Sequence, residues 1–186
     1  ARRRSAPYGS AAAIGAGLVQ TGPGGSVLSA NVIQDNAGHA LVVGNANSSV
    51  IANNTIVANG GNGIWATACC GHSTVSPLVK NNLVAHNSGH GIQVDIPSMF
   101  TVGYNNFFSN AQGAYGGHLN DLTGRVGNIA KDPLFSSFSA DGAANDDFSL
   151  RPASPCVDAG NDVLIFGVRS DFLGQTVPVD GDGDGL

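Results

Sequence analysis

Short apolar stretches alternate with polar residues along this chain, and the pattern returns at a regular distance. Four segments align without gaps, and each reads Asn, any residue, an apolar residue, two further residues and a second Asn. The first Asn recurs as Asn31, Asn54, Asn82 and Asn105, with spacings of 23, 28 and 23 residues. Apolar or aromatic residues recur in step with these columns, namely Leu28, Ile51, Val79, Val102, Leu41, Ile64, Ile92 and Tyr115.

A period near 23 residues that is built from short apolar stretches predicts a solenoid. Apolar residues alternate in steps of two and helix-favouring residues are scarce, which excludes helical repeats and predicts β-strands. Strands of stacked coils lie about 4.8 Å apart, so equivalent residues stack directly above one another. We therefore predict an all-β fold, a parallel β-helix of about four to five coils. Leu18 lies 23 residues before Leu41 and marks an earlier, degenerate coil.

The two Asn columns have a structural explanation. Asn tolerates the left-handed backbone that a sharp corner needs, and stacked side-chain amides can form hydrogen bonds along the axis of the coils. The 28-residue coil carries five extra residues, which we place in a loop around residues 68–73. We expect nearby glycines to supply the other left-handed positions, namely Gly38, Gly61, Gly63, Gly89 and Gly91.

Composition narrows the choice of partners. Only 11% of the residues are charged, all thirteen acidic residues are Asp, and the formal net charge is −5. No basic face is large enough to neutralise a phosphate backbone, which argues against nucleic acid as a partner. No apolar run is long enough to span a membrane. The odd number of cysteines leaves at least one without an intramolecular partner, and the sequence leaves open how Cys69, Cys70 and Cys156 pair.

The rhythm Asn-x-(Ile/Val)-x-x-Asn-x-Gly-x-Gly-Ile resembles that of right-handed parallel β-helix repeat proteins, a pectate-lyase-like solenoid class. The stretches 132–135 and 147–160 and the closing Asp-Gly repeat resemble the C-terminal segment of bacterial β-helix proteins that often precedes a surface anchor. The resemblance implies coils over residues 1–117 and a tail over residues 118–186 that packs on the solenoid. It also implies an extracellular or cell-surface location, and a class rich in polysaccharide lyases, epimerases and glycosidases.

A group of outward-facing side chains follows from the register of the coils. Trp65 and Gln93 occupy one strand position, and Thr67, Asp95 and His118 occupy the position two residues further on. All five should therefore share one face. A Trp beside polar groups can hold a sugar ring by stacking and hydrogen bonding, so this face is the candidate glycan-binding site. The alternative is that the tail covers Trp65.

A lyase or epimerase would need a base and a group that neutralises the carboxylate of a uronic acid. Lys80 should project outward close to Asn82, which makes it the candidate catalytic residue. The alternative is that Lys80 is a solvated surface side chain. No pair of carboxylates with the separation that glycoside hydrolysis requires is readable from the sequence.

The closing Asp-Gly repeat is the candidate metal site. Asp180, Asp182 and Asp184 are followed by Gly185, which matches the first half of a calcium-binding loop of the EF-hand type. The bidentate acid that ends such a loop is absent, so other ligands would have to complete it. Ca2+ is therefore the candidate cofactor, and a solvated acidic tail is the alternative.

Two functional hypotheses remain open. The first is a non-catalytic extracellular module that binds glycans or associates with itself, because the open end of a β-helix is a sheet edge that can pair end to end with another copy. The second is a fragment or small member of the polysaccharide lyase and epimerase class that acts on acidic polysaccharide. The absence of a readable catalytic set favours the first and leaves enzymatic activity undecided.

Overall fold

A computed structural model of the chain describes residues 18–21, 25–44, 49–67, 76–96, 100–139, 141 and 146–161. Within these ranges the chain forms fifteen β-strands and no α-helix. A membrane-spanning helix is accordingly not found in them. The all-β prediction is confirmed.

Strands of successive coils pair in parallel and build three sheets. Sheet A contains β1 (Leu18–Thr21), β4 (Leu41–Gly44), β7 (Ile64–Thr67), β10 (Ile92–Val94) and β13 (Tyr115–Gly117). Sheet B contains β2 (Val27–Ser29), β5 (Val50–Ala52), β8 (Leu78–Lys80) and β11 (Thr101–Gly103). Sheet C contains β3 (Val32–Gln34), β6 (Thr55–Val57), β9 (Leu83–Ala85) and β12 (Asn106–Phe108). The stacked coils are those of a parallel β-helix.

Equivalent residues of the sequence repeat stack on one another in the core. Ile64 pairs with Leu41 on one side and with Ile92 on the other, and all three side chains are completely buried. The same holds in sheet C for Ile56 and Val84. One apolar cluster therefore runs along the axis from the first complete coil to the last. Burial of such side chains stabilises the fold by about 1.5–3 kcal/mol each.

Two ladders of asparagine amides run along the corners that flank sheet C. In the first ladder each side-chain Nδ2 donates to Oδ1 of the next Asn, at 2.9–3.1 Å, through Asn31, Asn54, Asn82, Asn105 and Asn128. In the second ladder the corresponding distance is 2.8 Å, through Asn36, Asn59, Asn87 and Asn110. The inner members are buried. An unpaired buried amide costs about 1–3 kcal/mol, so the ladders allow polar residues to line a core.

The expected backbone role of the Asn columns is wrong by one position. The left-handed residue at each corner precedes the ladder Asn, as in Tyr104 (φ 56°) before Asn105 and His86 (φ 56°) before Asn87. Moving the bend to the preceding residue leaves the Asn side chain free to point along the axis. The other residues that share these conformations are Ala30, Asp35, Asn53, Ala58, Asn81 and Ser109.

The expected role of the corner glycines is also corrected. Gly61, Gly63, Gly89 and Gly91 are not among the described glycines with positive φ. They are needed because successive coils approach too closely for a side chain. A Cβ on Gly63 would lie 2.4 Å from Cγ1 of Val84, and one on Gly89 would lie 2.2 Å from the side-chain oxygen of the Asn in the coil before it.

Residues after β13 cover the C-terminal end of the core. Leu119 and Leu122 pack against the core cluster. Asn128 lies 23 residues after Asn105 and accepts a hydrogen bond from it at 3.1 Å, so the repeat continues into a partial coil beyond residue 117. We expected open coil ends as the basis for end-to-end association. At this end the core is not open.

The rest of the described tail packs on the outer face of sheet C. The strands β14 (Phe135–Ser137) and β15 (Asp147–Leu150) form an antiparallel hairpin. Phe135 and Phe148 lie 5.1 Å apart and pack with Val57 of β6 in a second apolar cluster. Phe138 stacks on His86 with ring centroids 4.8 Å apart. Because sheet C is covered on both faces, its strands carry apolar residues on both faces.

Candidate functional site

Sheet A presents the predicted group of outward-facing residues. Gln93 of β10 pairs with Trp65 of β7 in parallel register. Asp95 and His118 directly follow β10 and β13, and their backbone N–H groups continue the hydrogen bonding of the sheet. Thr67 is the last residue of β7. All five therefore lie on or at the end of strands of one sheet, as the register of the sequence predicts.

Three of these residues form a connected group. The indole Nε1 of Trp65 donates to one carboxylate oxygen of Asp95 at 2.5 Å, and Nε2 of Gln93 donates to the other at 2.6 Å. Hydrogen bonds to a carboxylate are shorter and stronger than those between neutral groups. They fix the orientation of the half-buried indole ring, while Asp95 itself stays exposed.

A second column of polar side chains lies at the corner before sheet A. The backbone N–H of Asn62 donates to Nδ1 of His39 at 2.9 Å, and the backbone N–H of His90 donates to Oδ1 of Asn62 at 2.7 Å. The side chain of each coil therefore accepts a hydrogen bond from the backbone of the next coil. These contacts account for the column without a metal ion.

Side chains of the corner column lean over sheet A toward the next coil. The imidazole of His39 lies against the indole of Trp65, with ring centroids 4.5 Å apart and planes 36° apart. Nδ2 of Asn62 donates to Oε1 of Gln93 at 3.1 Å. Corner and sheet residues from successive coils thus form one polar and aromatic surface.

This surface encloses a shallow, open recess of about 240 Å³. A Cβ on Gly61 would lie 2.7 Å from Nδ1 of His39, so glycine is required at this wall. The recess is wide enough for a ring-sized group beside the indole. Its lining comprises His39, Gly60, Gly61, Asn62, Trp65, Ser88, Gly89, Gln93 and Gln112.

The protonation state of His39 follows from its surroundings. Burial lowers the pKa of His39, and the nearby Asp95 carboxylate opposes that shift only in part. Nδ1 accepts a hydrogen bond from Asn62, so the neutral ring carries its proton on Nε2. At neutral pH the recess therefore combines a neutral imidazole, two amides, an indole ring and one adjacent carboxylate.

Two of the predicted residues stay outside this group. Thr67 is half-buried and His118 is exposed, and neither side chain forms a hydrogen bond within the described ranges. They share the face of Trp65 without contacting it. The tail alternative is not seen in residues 118–139, 141 and 146–161, which cover the end of the core and sheet C rather than the Trp65 recess.

The other candidate residues lie elsewhere. Lys80 belongs to sheet B, where its ammonium group lies 5.6 Å from the ring centre of Tyr104. Asp180, Asp182 and Asp184 lie outside the described residues, as do Cys69, Cys70 and the loop of the longer coil. Across the described ranges, no group of three or more His, Cys or Asp side chains could hold a metal ion.

The described cysteine is a free thiol. Sγ of Cys156 accepts a hydrogen bond from Nδ2 of Asn106 at 3.0 Å, so the tail is attached to sheet C at this point. Burial raises the pKa of the Cys156 thiol, which hydrogen bonds from Ser154 and Asn106 oppose. The thiol is therefore protonated at neutral pH and serves packing.

A family model described as a right handed beta helix region matches residues 11–125, which is more than half of the chain. The chain belongs to the right-handed β-helix family. No curated protein and no solved structure gives a significant match. The matched residues of this β-helix protein include the whole recess. The fold supports many unrelated functions, so the function must be argued from the recess itself.

Reasoning from the sequence of the β-helix protein missed the corner side chains of the recess. His39 and Asn62 were recognised as a column but not as neighbours of Trp65 and Gln93. The signal that could have found them is the diagonal offset between columns. A corner residue lies three positions before the strand column in sequence but leans onto the strand residue of the following coil.

Proposed function

We propose that this β-helix protein is an extracellular or cell-surface module that binds a glycan in the recess beside Trp65. The observation that supports this function best is the half-buried indole ring, held in place by the hydrogen bond from its Nε1 to Asp95. A fixed aromatic ring presents a binding surface at little entropic cost.

The chemistry of the recess suits a sugar. The C–H face of a pyranose packs on an aromatic ring, and its hydroxyl groups need hydrogen-bond donors and acceptors placed around that ring. Amide groups of Asn62 and Gln93, the imidazole of His39 and the carboxylate of Asp95 surround Trp65. The recess is open along the sheet, which is compatible with a chain of sugars rather than a small enclosed ligand.

Binding is better supported than turnover. Glycoside hydrolysis commonly uses two carboxylates that flank the scissile bond. Asp95 is the carboxylate at this recess in the described part of the chain, and both its oxygens are engaged by Trp65 and Gln93. Lys80, the candidate base for a lyase, lies on sheet B rather than beside the recess.

Glycan binding by the full chain and by Trp65→Ala tests this proposal. We expect the protein to be retained on at least one immobilised polysaccharide of a broad panel, and Trp65→Ala to weaken that binding by about 2 kcal/mol, or roughly thirtyfold. Trp65→Phe should be intermediate, because the ring remains and the hydrogen bond to Asp95 is lost. Isothermal titration with soluble oligosaccharide gives the affinities.

Tyr104→Ala on sheet B is the matched aromatic control, and circular dichroism confirms that each variant is folded. We expect the control to bind as the parent protein does. The proposal fails if no polysaccharide is bound, or if folded Trp65→Ala binds with unchanged affinity.

A further inference from the structure

The distribution of charge around the recess selects among glycans. None of the side chains that line it is Lys or Arg. His39 accepts a hydrogen bond on Nδ1, which requires the unprotonated state of that nitrogen. Asp95 lies directly beside Trp65 and Gln93 with an exposed carboxylate. The nearest formal charge to a bound sugar is therefore negative.

The described cationic side chains lie away from sheet A. Lys80 is over Tyr104 on sheet B. Arg151 donates to the backbone carbonyl of Ser136 in the hairpin that covers sheet C. The remaining two, Arg125 and Lys131, are exposed in the segment that follows the last complete coil. A sugar carboxylate in the recess would find no counter-ion among these groups.

We infer that the recess binds uncharged glycans and discriminates against uronic acid polysaccharides; this inference rests on the glycan-binding function proposed above. A uronate carboxylate next to Asp95 would bring like charges together, which weakens binding strongly where no cation compensates. An uncharged hexose keeps the packing on Trp65 without that repulsion.

Asp95 has room to bind such a sugar. Each of its carboxylate oxygens accepts one hydrogen bond from the protein, and each can accept a second from solvent or ligand. Sugar hydroxyl groups are donors that match these positions. The same carboxylate therefore orients the indole ring and offers acceptors to an uncharged ligand.

Matched pairs of polysaccharides test the inference, because each pair keeps the sugar backbone and changes only the charge. Polygalacturonate is compared with its methyl ester, and a neutral β-glucan with the same glucan oxidised at C6. Affinity electrophoresis and titration are done on the full chain at low and high salt. We expect the uncharged member of each bound pair to bind about tenfold more tightly or better. High salt should narrow the gap, since the Debye length falls from about 30 Å at 0.01 M to about 3 Å at 1 M.

Variants separate the possible results. Trp65→Ala should abolish binding of the uncharged member, and Lys80→Ala should leave the preference unchanged. If the acidic member binds equally or more tightly and Trp65→Ala removes that binding, the inference about charge is overturned while the glycan-binding function stands. If no member of any pair binds, both are overturned.

Discussion

The outer faces of sheets A and C are built by the same coils and meet different fates. On sheet C, Phe135 and Phe148 of the tail cover Val57 and produce a second apolar cluster. On sheet A, the equivalent outward position carries Trp65 and Gln93, which are held by hydrogen bonds to Asp95 and left at the surface. One face is completed by the chain itself, and the other offers a recess to a ligand.

The comparison shows how a regular solenoid separates stability from function. The inner column of each sheet is apolar and interchangeable, since it only has to fill the core. The outward column is free to vary, and its residues decide whether a face is covered or exposed. Substitutions on sheet C should therefore change stability, and substitutions on sheet A should change binding.

Phe148→Ala should have the largest effect. Phe148 is only 7% exposed and packs against Phe135 with an interplanar angle of 81°. Truncation of a buried Phe costs about 3–5 kcal/mol, and we expect about 3 kcal/mol here because the hairpin can partly readjust. Urea unfolding followed by circular dichroism measures the loss, and glycan binding by the folded protein should be unchanged.

Ser136→Ala is the control for that experiment. Ser136 is exposed on the same hairpin, and its hydrogen bond with Arg151 uses the backbone carbonyl. Its free energy of unfolding should stay within about 0.5 kcal/mol of the parent value. A loss below about 1 kcal/mol for Phe148→Ala would show that the hairpin contributes little, and the distinction between the two faces would weaken.

Acid should loosen the cover on sheet C. Burial against Phe138 and Phe108 lowers the pKa of His86 from 6.5, and Asp132 opposes the shift in part. The unfolded chain then binds the proton more readily than the folded chain. The free energy of unfolding is therefore at its full value above pH 6.5 and falls as the pH drops toward the lowered pKa.

His86→Asn tests this dependence, because Asn also tolerates the left-handed backbone at this corner and does not titrate. The variant should be less stable than the parent at pH 8, and its stability should fall less between pH 8 and pH 5. Parallel pH profiles for the two proteins would assign the acid sensitivity to other groups.

Acid should also weaken the recess on sheet A, through a different contact. Burial lowers the pKa of His39, and Asp95 opposes the shift. Protonation would place a hydrogen on Nδ1 that faces the backbone N–H of Asn62. We expect glycan affinity to be constant above pH 6.5 and to decline as the pH falls below it.

His39→Asn provides the matched variant for that decline. An Asn at this position can accept the same backbone hydrogen bond, as Asn62 does from His90 in the next coil. Titrations at pH 8 and pH 5 should show weaker but less pH-dependent binding than in the parent protein. An undiminished pH dependence in His39→Asn would exclude His39 as its source.

The smallest effects are expected at the predicted residues that the structure leaves outside the group. Thr67→Ala and His118→Ala should each change glycan affinity by less than about 0.5 kcal/mol, because neither side chain contacts Trp65 or lines the recess. Titration of both variants with the same oligosaccharide checks this. A loss comparable with that of Trp65→Ala would extend the binding site along the strand ends.

The repeat in the sequence was sufficient to predict the coils and their register. Stacking of Trp65 with Gln93 follows from counting residues, because parallel strands in successive coils pair equivalent positions. The continuation of the ladder at Asn128 was missed, although its spacing is 23 residues, because Arg125 stands where the other coils have an apolar residue. In that partial coil the amide contact persists without the apolar column.

The site was less predictable than the fold, for a geometric reason. Alternation along a strand shows which residues face outward, but not how a corner side chain leans. The contact of His39 with Trp65 depends on the offset between two columns in successive coils. The covering of sheet C by Phe138 and Phe148 depends on a tail that has no repeat to align.

The asparagine ladders also bear on the chemical lifetime of the protein. An Asn followed by Gly is prone to deamidation, in which the backbone nitrogen of Gly attacks the side-chain amide and ammonia leaves. In the fold, the amide of Asn59 donates to Asn87 and accepts from Asn36, while the N–H of Gly60 donates to the carbonyl of Asn36. Neither reacting group can turn toward the other, so folded coils should age slowly and each deamidated molecule should record an earlier unfolding event.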